Sequence, residues 1–216
     1  ARPGRMSDDA PVLISDFGGV LTTPLVDAFA HVQEEHGIPA AAIGEAMMRI
    51  AERDGVNPLH ELECGRMTEA RFMGDLATEL EADLGRAVAM HVFSEQWFAA
   101  LQPNDVMLDL VRATRERGLR TALLTNNVRE WEPRWRAMFP VDELFELVID
   151  SAFVGMRKPD PEIYRLTLER LGVAAERCVF VDDFEINCEA AAALGMTAVH
   201  FRTTEQASAE VEAALA

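Results

Sequence analysis

Apolar residues along this chain fall into two alternating rhythms. Short, mostly apolar runs occupy residues 12–17, 119–124, 147–149, 178–181 and 197–201. Runs of this length, bounded by turn residues, predict buried strands of a parallel sheet. Between them the period lengthens to that of a helix. Over residues 104–117, Met107, Leu110 and Val111 share one face, Asn104 stands at the cap position and Gly118 follows the end. Over 160–171, Asp160 suits the cap, Pro161 suits the first helical position, and Gly172 comes after the last turn. A third helix is expected over 184–194, stopping at Gly195. Strands alternating with helices in this way predict an α/β fold built on a doubly wound parallel sheet.

One connection breaks the rhythm. The chain between the first and second strands runs from residue 18 to 118, far too long for one crossover, and its pattern is helical. Segments 26–36, 40–53, 68–81 and 86–101 carry apolar positions at helix spacing, with breaks at Gly37-Ile38-Pro39, at Gly55-Val56-Asn57-Pro58 and near Gly85. The expectation is a four-helix insert over residues 23–102 on a core made of residues 9–22 and 103–216. Ala1-Arg2-Pro3-Gly4-Arg5 precede the first Met and add nothing to the expected fold.

Polar islands stand at the strand ends and before helices: Asp16-Phe17-Gly18-Gly19-Val20-Leu21-Thr22, Leu123-Leu124-Thr125-Asn126-Asn127, Gly155-Met156-Arg157-Lys158-Pro159-Asp160-Pro161, and Val181-Asp182-Asp183-Phe184-Glu185-Ile186-Asn187. Sites in open parallel sheets form at the carboxyl ends of strands, so these islands are expected to converge. Together they supply a nucleophilic carboxylate, a polar anion-holding turn, a fixed cation and an acidic pair. Gly18 and Gly19 let the backbone turn sharply and approach a ligand. Two adjacent carboxylates closing a buried strand are costly without a cation, and magnesium takes carboxylates, a carbonyl, waters and a phosphate oxygen.

The order and spacing of the islands resemble the haloacid dehalogenase-like hydrolase superfamily, over nearly the whole chain. The resemblance implies a Rossmann-like core with a helical cap after the first motif, and a Mg²⁺-dependent phosphatase working through an aspartyl-phosphate. It implies Asp16 as the nucleophile and a metal ligand, with the Gly18 carbonyl also on the metal. Thr125 and the backbone N–H of Asn126 would hold phosphate oxygens. Lys158 would offset the crowding of carboxylate and phosphate. Asp183 would be the direct metal ligand, Asp182 would act through water or orient Lys158, and Asn187 would support the site. One departure stands out. Most phosphatases of the superfamily carry Asp two residues after the nucleophile, as general acid and base, and here that residue is Gly18. The implied substrate is a small phosphorylated metabolite whose leaving group needs little protonation; an anomeric sugar phosphate would qualify, and sugar phosphate, phosphorylated amino acid, nucleotide and phospholipid all remain open. The alternatives are a metal-independent 2-haloacid dehalogenase-type hydrolase and a catalytically degenerate member that binds a phosphometabolite or a protein. The acidic pair argues against the first, and retention of Asp16, Lys158 and Asp183 against the second.

Charge and composition narrow the partners. With 20 basic and 37 acidic residues the formal charge is −17, so nucleic acid is not an expected partner. No apolar run approaches the roughly 20 residues of a membrane span, and no signal-peptide core is expected at the N-terminus. Cys64, Cys178 and Cys188 are odd in number and unpaired in spacing, which fits reduced buried thiols and a cytoplasmic protein. Oligomeric state is not legible. His31 and His36 are expected on different helix faces, residues 60–64 as a solvated segment, Arg157 as a surface charge, Trp131 and Trp135 as core or cap contacts, and Met47, Met48, Met67 and Met73 as gap-fillers in the cap.

Overall fold

The computed structural model describes residues 10–216; the expected core start at residue 9 and the leading residues 1–5 lie outside the described residues. Strand β1 (Val12–Ser15) is followed by helices α1 (Leu25–Glu35), α2 (Ala42–Asp54), α3 (Pro58–Glu63), α4 (Glu69–Leu84) and α5 (Phe93–Ala100). Then come α6 (Asp105–Glu116), β2 (Arg120–Thr125), α7 (Glu132–Arg136), α8 (Val141–Leu144), β3 (Leu147–Asp150), α9 (Ser151–Val154) and α10 (Pro161–Leu171). The chain ends with β4 (Cys178–Asp182), α11 (Glu185–Ala193), β5 (Thr197–His200) and α12 (Thr204–Ala214).

The strands form one five-stranded sheet in the order β3-β2-β1-β4-β5, with every pairing parallel. Alternation along each strand feeds two apolar layers. Val12, Ile14, Leu124 and Phe180 meet Ile163 and Tyr164 of α10 and Ala191 of α11. Leu13, Leu123, Val179 and Val181 meet Met107 and Val111 of α6 and Val211 of α12. Both faces are therefore covered, as an all-parallel sheet requires. Ser15, the last residue of β1, pairs with Leu123 on one side and Val181 on the other, so β2 and β4 run on past it to Thr125 and Asp182 and bring those residues alongside Asp16.

The helices between β1 and α6 depart from the expected set of four. The Asn57-Pro58 pair, expected as a break, instead starts α3: the Asn57 side chain accepts from Leu59 N–H at 3.0 Å and His60 N–H at 3.3 Å, with Pro58 in the first turn. The helix expected from residue 86 begins with a 3₁₀ turn at Met90–Val92 and continues as α5. Arg86 serves another purpose, donating to the carbonyls of His36 (2.6 Å) and Gly37 (3.0 Å) at the end of α1. Met67 and Met73 are buried, but Met48 is 60% exposed and fills no gap. The final helix, α12, was not among the expected elements, although Thr203 and Gln206 form a full capping box at its start.

The chain leaves and re-enters the core at one place. Thr22 bridges Pro103, Thr23 N–H donates to the Gln102 carbonyl at 2.8 Å, and Asn104 N–H donates to the Leu21 carbonyl at 2.8 Å. The three cysteines are free and buried. No helix among the described residues is long and apolar enough to cross a membrane.

Candidate active site

Asp16 follows the last residue of β1, and its N–H donates to the Val181 carbonyl at 2.9 Å, which ties the first island to the fourth. Lys158 arrives from the loop after α9 and is 1% exposed. Its Nζ lies 2.7 Å from Asp16 Oδ1 and 2.5 Å from Asp182 Oδ2. The lysine backbone is clamped by Asn126, whose Nδ2 donates to the Lys158 carbonyl (2.9 Å) and whose Oδ1 accepts from Lys158 N–H (2.8 Å). The Asn126 side chain thus joins the second island to the third, a use that sequence reading did not foresee. Thr125 is buried beside it.

Asp182 and Asp183 are adjacent but have different surroundings. Asp182 commits Oδ2 to Lys158, while its Oδ1 accepts from Phe184 N–H (2.8 Å) and Asn187 Nδ2 (2.9 Å). Asn187 is held in turn by Tyr164, whose hydroxyl donates to the Asn187 carbonyl at 3.0 Å. Asp183 Oδ1 is buried with no hydrogen-bond partner. Gly19 makes room for Asp183. Its φ is +73°, and a Cβ there would lie 2.3 Å from Asp183 Oδ2, so neither the backbone nor the space accepts a side chain.

Charge at this floor is unbalanced. Asp16, Asp182 and Asp183 each offer a carboxylate oxygen, all within 4.8 Å of one another. Burial is the largest influence on Asp16 and pushes its carboxyl well above the ordinary range; Lys158 pulls it back, and Asp182 and Asp183 push it further up. Burial, followed by the charge of Asp182, lifts Asp183 to about 6. Burial pulls the Lys158 ammonium down, but Asp16 and Asp182 outweigh it and hold it above its ordinary value. Three carboxylates facing one ammonium, with one buried oxygen unpartnered, suit a divalent oxygen-seeking cation such as Mg²⁺.

Above the floor opens a cavity of about 770 Å³ that reaches from Asp16, Thr125, Asn126 and Lys158 to α1–α5. A Cβ on Gly18 would lie 2.6 Å from Leu25 Cδ1, so the first residue of α1 fills the space that a longer side chain at this position would need. Two expectations fail here. Residues 60–64 are not a solvated segment: α3 covers 60–63, Leu62 is 1% exposed, and His60 and Glu63 line the cavity. Arg157 is not a surface charge, because its Nε sits 2.6 Å from Glu63 Oε2 and both line the cavity. This pair joins α3 to the lysine loop. Burial raises the Glu63 carboxyl, against the pull of Arg157. Nothing in the sequence marks the pair, since its members stand far apart in the chain. The Trp131 and Trp135 expectation holds: Trp135 is fully buried against Phe17, with ring centroids 5.5 Å apart, and Trp131 meets Trp97 at 4.7 Å.

The arrangement has known counterparts. The family model of the haloacid dehalogenase-like hydrolases matches residues 10–195, and the chain belongs to that family of hydrolases. It is 30% identical over 94% of its length to acyl-CoA dehydrogenase family member 10 of Mus musculus, of which it spans only 19%. It is 29% identical to the phosphorylated carbohydrates phosphatase of Thermotoga maritima, covering 87% of this chain and 83% of that protein. Among solved structures, a HAD family enzyme from Bacteroides thetaiotaomicron in complex with magnesium and inorganic phosphate superposes with a TM-score of 0.62 at 25% identity, covering 88% of this chain and 93% of that one.

Proposed function

We propose that the protein is a Mg²⁺-dependent phosphatase that transfers the phosphoryl group of a phosphate monoester to Asp16 and then to water. The observation that carries this reading is the buried, unpartnered Asp183 Oδ1 beside Asp16 and Lys158. Phosphatases among the relatives and the Mg²⁺ and phosphate bound by the Bacteroides enzyme support it. Residues 23–102 are taken as the cap, and residues 9–22 and 103–216 as the core.

In this reading an Asp16 oxygen forms a bond to phosphorus as the ester oxygen departs. Water then attacks the aspartyl-phosphate, releasing phosphate and restoring the carboxylate. Lys158 is held against Asp16 by Asp182 and the Asn126 clamp, so its charge stays in place as phosphate approaches. Thr125 and the backbone of Asn126 receive phosphate oxygens. Asp16, Asp183 and the Gly18 carbonyl would hold Mg²⁺, with Asp182 serving the lysine and Asn187 supporting Asp182. The cation supplies Lewis-acid neutralisation of the phosphoryl oxygens. Gly18 has no side chain to protonate the leaving oxygen, so that proton comes from water, and in the second step the proton of the attacking water passes to solvent or to the released phosphate.

A dehalogenase would use Asp16 without a cation, leaving the Asp183 oxygen unpartnered during turnover, so the phosphatase reading is preferred. The test is phosphate release from p-nitrophenyl phosphate with Mg²⁺ and with chelator. Release is expected to need both metal and Asp16, with Asp16→Asn reducing it by about 10⁴-fold or more. Metal-independent release of halide from 2-haloacids, with no phosphate release, would replace this reading.

A further inference from the structure

The floor of the cavity is polar, but its walls are not. Beyond Asp16 and Lys158 it is bounded by Leu25, Phe29, Ile43, Met73, Leu76 and Phe93 from the helices of residues 23–102. The charged groups on the α3 side, Glu63 and Arg157, are already paired with each other. A sugar placed here would strip its hydroxyls of water and find few partners, which is costly. The apolar surface also continues outward. Val26 is 69% exposed, Phe184 57% and Ile186 58%, and all three line the same cavity. Exposed large apolar side chains gathered at the mouth of an apolar chamber mark a binding surface rather than chance exposure.

We propose that the cavity is a tail chamber, and that the substrate is the phosphate monoester of a long aliphatic alcohol, with the phosphate on the Asp16–Lys158 floor and the chain along Leu25, Phe29 and Leu76. The proposal rests on the phosphatase reading for the phosphate end. Of the substrate classes left open by the sequence, it favours a lipid-like ester over a sugar phosphate. The chamber volume of about 770 Å³ lies within the range of roughly 300–1,000 Å³ in which sites bury whole organic ligands. Val26, Phe184 and Ile186 line the cavity and are exposed, so they offer a chain apolar surface on its solvent side. An aliphatic alcohol is a poor leaving group, and with Gly18 in place its proton comes from water, so turnover is expected to be slower by about 10²–10⁴-fold than with a general acid; binding of the tail needs no such proton, so binding and turnover are read separately.

The experiment measures binding of butyl, octyl and dodecyl phosphate to Asp16→Asn with Mg²⁺, below micelle-forming concentrations, by the fluorescence of Trp97 and Trp131 in the chamber wall. Phosphate release by the wild type is measured on the same series. Affinity and kcat/KM are expected to rise by about fourfold per added methylene until the chamber is full. Farnesyl phosphate is the second arm: preference for it over dodecyl phosphate assigns an isoprenoid tail, and the reverse assigns a straight chain. Leu76→Trp and Met73→Trp should move the plateau to shorter chains; if either fails to fold, the wild-type slope decides. A flat series with Asp16-dependent hydrolysis of p-nitrophenyl phosphate overturns the tail chamber and leaves the phosphatase. A rising binding series with no phosphate release from any ester keeps the chamber and sinks the phosphatase.

Discussion

On the floor of the cavity, Asp182 commits both carboxylate oxygens to Lys158, Phe184 and Asn187, whereas the wall above it presents Leu25, Phe29 and Leu76. The floor is made of groups that cannot be buried unless each is matched in charge and hydrogen bonding, so its geometry is tightly specified. The wall needs only apolar volume, and many side chains satisfy that equally well. On the proposed reading the floor fixes the reaction and the wall selects the substrate. The two also differ in origin: the floor comes from strand ends of the central sheet, the wall from helices inserted between β1 and α6.

The largest expected effect breaks the floor. Lys158→Met leaves Asp16 and Asp182 buried without their cation, and removing one partner of such a pair costs about 3–5 kcal/mol. Urea unfolding should show that loss, and an unchanged midpoint would mean that the carboxylates had already been neutral.

Next comes the seam between floor and wall, where Leu25 occupies the space beside Gly18. Gly18→Asp alone should give no gain, because the new side chain meets Leu25. Combined with Leu25→Ala it should raise turnover of esters with poor leaving groups by about 10²-fold, the usual range of acid–base help being about 10²–10⁴-fold. Equal rates for the single and double variants would show that protonation of the leaving group is not limiting.

A smaller effect is expected at Asp183. Its folded pKa of about 6 lies above the ordinary 3.8, so the folded state binds the proton more tightly than the unfolded chain does. The metal-free protein therefore keeps this contribution in full below about pH 4 and loses it as pH rises through 6, by up to roughly 3 kcal/mol. Asp183→Asn should remove that slope, raise metal-free stability at pH 7, and abolish the rise in Tm that Mg²⁺ gives the wild type. Thermal scans against pH, with and without metal, check all three.

The smallest effect is expected where wall and floor are strapped together. Glu63→Gln keeps the shape of the Arg157 contact but removes its charge; because the pair is largely buried, the loss is expected to be about 1–2 kcal/mol, below the cost of leaving a charge with no partner at all. It should raise KM more than it lowers kcat, since the pair positions α3 and touches no reacting atom. A fall in kcat alone would promote Glu63 to a part in the chemistry.

Much of the floor could be read from the sequence. Asp16, Thr125, Lys158 and Asp183 each stand at the end of an apolar run or beside a turn, where parallel sheets place their sites, and the structure brings them together. The sheet itself was equally plain, because its strands are short buried runs bounded by glycine and polar turns. The wall was harder. Its apolar positions have helix spacing, but α3 is short, and Asn57-Pro58 reads equally well as a break or a helix start. The Glu63–Arg157 pair and the Asn126 clamp join residues far apart in sequence, for which local pattern carries no information.

The chain by itself determined which residue types stand at the strand ends, and with them the family, because a carboxylate, a cation and an acidic pair keep a fixed order along a fixed topology. Only the tertiary structure decided that Asp182 serves Lys158 while Asp183 is left with a free oxygen, that Leu25 fills the space beside Gly18, and that the cavity above is apolar. Those outcomes depend on which side chains meet after long-range packing, and a one-dimensional pattern of apolar and polar positions does not encode who the neighbours will be.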